Sequence, residues 1–121
     1  MSRLPIQSEQ EEYVRGILTA YLHLPETASL VRRQDRQLAL ELHRRAIPIS
    51  VVESAMLLAS ARRLARPPDA APLSRIRSLH YFLPVIEEIV SNPIDGDYVE
   101  YLRRKISQPA RNQKTADSDE R

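Results

Sequence analysis

The chain has 121 residues, 42% of them hydrophobic and 28% charged, with nine prolines, two glycines, no cysteine and no tryptophan. That length fits one domain, since halves of it would be too small to bury a core without staples. Two glycines exclude the glycine-rich phosphate cradles, and the lack of cysteine excludes a disulfide framework, a thiolate zinc site and a thiol nucleophile.

Prolines divide the sequence into five expected helices. The first covers residues 8–22, where Tyr13, Val14, Ile17, Leu18 and Tyr21 recur at helical spacing behind Glu9, Glu11 and Glu12. Gly16 inside it costs ~1 kcal/mol relative to alanine and marks a place where another helix comes close. The second is expected over residues 28–46, with the apolar stripe Leu38, Ala39, Leu42 and Ala46. After the break at Ile47-Pro48-Ile49, Ser50 and Glu53 have the spacing of a capping box, which opens a third helix reaching Ala65.

Pro67, Pro68 and Pro72 make a loop of the next stretch. A long apolar helix is then expected over residues 73–90, kinked near Tyr81–Leu83 by Pro84 and apolar around enough of its girth to be the central one. Asn92-Pro93 ends it. A short helix over residues 97–106 presents Tyr98, Leu102 and Ile106, and from residue 107 to 121 apolar periodicity stops, as in a disordered tail. The expected fold is therefore all-α: a single compact domain of four to five helices over residues 1–106, with a disordered C-terminal tail.

No stretch approaches the ~18 apolar residues of a membrane span, and the N-terminus lacks the pattern of a secretory signal. The cytoplasm is the expected compartment, with no membrane partner.

Chemistry is sparse. His23, His43 and His80 stand apart from one another and form no metal-ligand spacing. His43 reads as a surface residue and His80 as a histidine at the edge of the core. Glu87 and Glu88 are adjacent and so diverge on a helix, and no serine sits in a nucleophile elbow. Neither an enzyme nor a cofactor is expected.

Charge is more informative. The net charge is +2, but residues 29–80 carry ten arginines against four acids, while each flank is at −2. Arg32, Arg33 and Arg36 share one helix face, Arg62, Arg63 and Arg66 repeat that spacing, and Arg44, Arg45, Arg75 and Arg77 lie in the same basic middle. Several guanidinium forks on one surface suit phosphate binding. Solvated helix faces and dipole complementation at helix C-termini explain the same residues equally well. The helices flanking Ala46–Ser50 resemble a helix-turn-helix, but the second is too apolar to lie bare in a major groove. Tyr13, Tyr21, Tyr81, Phe82, Tyr98 and Tyr101 offer stacking surfaces for single strands, although their spacing among leucine and isoleucine assigns most of them to the core.

The segment Val51-Val52-Glu53-Ser54-Ala55-Met56-Leu57-Leu58-Ala59, followed after a loop by Ile76-Arg77-Ser78-Leu79-His80-Tyr81-Phe82-Leu83-Pro84-Val85-Ile86, resembles the DnaD-type domain of bacterial and phage replication initiation proteins. The likeness spans about 40 residues. The family's tyrosine, isoleucine and tryptophan, spaced by four, correspond to Tyr81, Val85 and Ile89; the tryptophan is thus replaced, and Pro84 interrupts a helix the family usually continues. The resemblance implies DNA binding by that helix and the segment after it, in work beside helicase loading. The expected function is a DNA-binding accessory module of replication initiation or a mobile element, contacting phosphates through the ten arginines of the basic middle. The alternative is a protein-interaction adaptor whose apolar helix face docks on a partner or on a second copy of itself.

Overall fold

A computed structural model describes residues 5–107. Five helices and one 3₁₀ turn follow in order: α1 (Pro5–Leu22), α2 (Arg33–Arg44), α3 (Ile49–Leu64), the 3₁₀ turn Leu79–Phe82, α4 (Leu83–Ser91) and α5 (Gly96–Ser107). The fold is all-α, with no strand among the described residues. The tail expected from residue 107 lies outside the described residues, apart from Ser107, which closes α5.

The central element is α3, not the segment over residues 73–90. It packs against α1, α4, α5 and the 3₁₀ turn, and every residue from Ser54 to Ser60 is buried. Partners on several sides leave it no polar face along that stretch. One core results, in which Ile17, Leu42, Val52, Met56, Phe82 and Ile86 are almost wholly enclosed. Gly16 is a point of close helix approach, since a Cβ there would lie 2.8 Å from Ile49 Cδ1 of α3.

The expected long helix is three structures in succession. Residues 73–78 form no helix, and Ile76 makes an isolated parallel bridge with Thr27. Its N–H donates to Glu26 O (2.7 Å) and its carbonyl accepts from Ala28 N–H (2.9 Å), which removes its backbone groups from any helical ladder. Ser78 then starts the 3₁₀ turn, its hydroxyl accepting the His80 N–H at 3.1 Å. Pro84 falls in the first turn of α4, where its missing N–H costs nothing; in the middle of a continuous helix it would cost ~3 kcal/mol. His80 therefore sits exposed on a turn rather than at the edge of the core.

The other helix ends also depart from expectation. α1 begins at Pro5, so its glutamates stand beyond the first turn. α2 begins at Arg33, because residues 23–32 are held as a loop by the bridge and by left-handed Glu26 and Ser29 (φ 69° and 60°). Ser50 does not cap α3: the N-cap is Pro48, and no side chain caps that end. The reason lies in the end of α2. Ala46 adopts φ 60°, its N–H donates to His43 O, and the Ile47 N–H reaches back to Leu42 O. This Schellman closure turns the chain so tightly that α3 starts at once.

Candidate nucleic-acid interface

The ten arginines of the basic middle fall into two groups. Six of them bond to other parts of the chain. Arg45 forks onto Glu87 (2.8 and 2.9 Å) and Arg62 onto Glu88 (3.0 and 2.7 Å), so that two consecutive glutamates of α4 hold the ends of α2 and α3. Hydrogen bonds from these guanidiniums hold both carboxyls below their ordinary pKa. Arg44 pairs with Glu41 within α2 at 3.0 Å.

Arg63 is the most committed. Its side chain is only 6% exposed. It donates from Nε to Glu26 (2.6 Å), and its terminal nitrogens donate to the Tyr81 hydroxyl (3.1 Å) and to Ser74 O (2.8 Å). The guanidinium also lies over the Tyr81 ring at 5.4 Å. Arg66 donates to Ala71 O and Arg75 to Thr27 O, which ties the proline loop and the bridge to their surroundings. The second triplet does converge on one groove, with Leu73, Tyr81 and Val85, but two of its three charges there are matched by Glu26 and Glu88.

Arg32, Arg33, Arg36 and Arg77 behave differently. All four are exposed and form no ion pair with a described residue. Arg36 and Arg15 line a cleft of about 550 Å³ between α1 and α2, together with Leu18, Leu22 and Val31; among the described residues Glu11 is the one acid there. Arg15 escaped the sequence reading because it stands among the acids of the first helix, outside the basic middle. Its relation to Arg36 exists only once α1 and α2 pack together.

A buried carboxylate organises this edge. Asp35 of α2 is fully enclosed. Its Oδ2 accepts the Arg32 N–H at 2.9 Å, capping the helix, while Oδ1 accepts the Leu79 N–H at 2.9 Å and faces the Ser78 hydroxyl at 3.3 Å. The backbone beside Arg77 is thereby fastened to the start of α2. In the sequence, Asp35 was hidden as one acid among arginines.

The aromatic residues divide as well. Tyr21 and Phe82 are buried and meet edge to face at 6.2 Å. Tyr13 is half-buried against His43, which is itself half-buried rather than a surface residue. Tyr81, Tyr98 and Tyr101 are exposed.

Among the described residues, no helix is long and apolar enough to cross a membrane, and no group of three or more histidines or acids could hold a metal ion. No family model matches this chain, and neither a curated protein nor a solved structure is similar to it.

Proposed function

We propose that this chain is a non-enzymatic DNA-binding accessory module that holds phosphates along the edge formed by the start of α2 and the adjoining α1 face. The observation that carries this reading is the division of the arginines. Those at the ends of α2 and α3 are spent on the fold, whereas Arg15, Arg32, Arg33, Arg36 and Arg77, around one cleft and one helix start, keep charge that no described residue matches. Unpaired guanidiniums release counterions on meeting phosphates; those already forked onto carboxylates gain much less. The resemblance to the DnaD-type domain supports a setting in replication initiation or a mobile element.

The test is titration of labelled single- and double-stranded DNA at ~50 and ~200 mM salt, in wild type and in the Arg32→Ala/Arg33→Ala/Arg36→Ala variant. Salt-sensitive binding that weakens in the variant supports the reading. An unchanged salt slope overturns it. A second reading, a protein-interaction adaptor, draws on the exposed Tyr98 and Tyr101 of α5. Binding to a protein partner or a second copy that survives ~0.5 M salt would favour it, because apolar contacts are not screened.

A further inference from the structure

Helix α5 is anchored by one face alone. Leu102 is buried, and Val99 and Ile106 pack partly against the core. Tyr98, Tyr101 and Lys105 recur at helical spacing on another face, apart from the residues that pack on the core. The two tyrosines are 43% and 46% exposed. Their rings lie 5.9 Å apart and within 22° of parallel, and Lys105 Nζ lies over the Tyr101 ring, 5.9 Å from its centre. Neither Lys105 nor the neighbouring Arg104 pairs with a described carboxylate. Of the remaining aromatics, Tyr21 and Phe82 are buried against each other, Tyr13 is half-buried against His43, and the Tyr81 hydroxyl accepts a hydrogen bond from Arg63.

Resting on the phosphate-binding reading above, we infer that Tyr98 and Tyr101 form a stacking platform for unpaired bases, with Lys105 and Arg104 taking the adjoining phosphates. The ligand class is then single-stranded nucleic acid. Parallel exposed rings beside cations unmatched among the described residues are what a flexible strand needs, since every base has a π-face and every linkage a charge. A duplex keeps its bases stacked on one another and has no use for the rings. A docking surface for a protein would gain from the same apolar area, but would not require aromatic faces flanked by two cations that no described carboxylate neutralises.

The experiment uses the full chain and three probes: a ~15-nucleotide oligothymidylate, the matching oligouridylate, and a DNA duplex of that length. The protein has five tyrosines and no tryptophan, so its own emission reports on tyrosine. Binding of either single strand should quench that emission. Tyr98→Leu/Tyr101→Leu, which keeps apolar bulk, should weaken single-strand binding about 10-fold or more and leave duplex affinity unchanged, whereas Tyr98→Phe/Tyr101→Phe should bind like wild type. Circular dichroism checks that both variants remain helical. If the leucine variant binds single strands like wild type, or loses duplex affinity equally, the platform is refuted and the arginine reading stands. If Arg32→Ala/Arg33→Ala/Arg36→Ala leaves the salt slope unchanged while the leucine variant loses single-strand binding, the arginine reading fails alone. Absence of binding to all three probes overturns both.

Discussion

The carboxylate of Asp35 and the backbone N–H of Leu79, 44 positions apart, meet at 2.9 Å in the interior. With its other oxygen on the Arg32 N–H, Asp35 closes the start of α2 and the start of the 3₁₀ turn at once. A buried acceptor shared by two helix starts is costly to remove, because each abandoned donor loses a partner that water does not readily replace. Asp35→Ala should lower stability by about 3 kcal/mol. Asp35→Asn, which keeps one acceptor oxygen, should cost less. Urea denaturation measures both as a lowered midpoint with the slope preserved.

Ala46 points the opposite way. It occupies the left-handed position of the Schellman closure at φ 60°, where a Cβ is strained and glycine is not. Ala46→Gly should therefore stabilise the protein by about 1 kcal/mol, despite adding flexibility to the unfolded chain. Thermal denaturation gives the sign directly.

Much of the fold was legible because apolar spacing and proline placement are local signals. Ile17, Leu18 and Tyr21 of α1 and Leu38 and Leu42 of α2 lie in the core as their periodicity requires. What escaped was non-local. Apolar residues over 73–90 read as one helix, yet Ile76 is buried through an isolated bridge to Thr27, a partner that spacing along the segment cannot reveal. Ser50 and Glu53 have the spacing of a capping box, but the tight turn at Ala46 had already begun the helix. The candidate site was legible only as an inventory of arginines. Which of them were free depended on Glu26, Glu87 and Glu88, contributed by distant elements.

Those acids have a consequence for pH. Hydrogen bonds from Arg45 and Arg62 lower the pKa values of Glu87 and Glu88 beneath the ordinary 4.5. A carboxyl held lower in the folded state contributes stability above its unfolded pKa and loses it as pH falls through the folded one. Wild-type stability should thus decline as pH drops below about 4.5. Arg45→Ala/Arg62→Ala should flatten that acid limb. Both pairs are exposed, so the change at neutral pH should be small. Denaturant titrations across pH 3 to 7 (roughly the carboxylate range) test it.

The alkaline side carries its own marker. The Tyr13 hydroxyl donates to Ile47 O at 2.6 Å, and burial pushes its pKa up to about 12. The folded state favours the neutral phenol, so this contribution is complete below pH 10 and disappears as pH rises through about 12. Tyr13→Phe should cost about 1 kcal/mol at neutral pH and soften the alkaline decline. Tyr21, also raised by burial and then by Asp35, should leave part of that decline in place.

The two arginine triplets should separate folding from binding. Arg63 is enclosed and donates to three partners, so Arg63→Ala should lose about 2 kcal/mol of stability, and Arg63→Lys most of the same amount because an ammonium cannot span that fork. Replacing Arg62, Arg63 and Arg66 together would then weaken any binding partly by loosening the fold. Arg32, Arg33 and Arg36 carry no such duty, since none pairs with a described carboxylate. Changing these three to alanine should leave the melting temperature nearly unchanged and flatten the salt dependence of DNA binding by up to ~3 units, one for each lost phosphate contact. Thermal denaturation read beside anisotropy titrations at several salt concentrations distinguishes the two outcomes. A slope change confined to the Arg62/Arg63/Arg66 variant, at unchanged stability, would move the interface to the far end of α3.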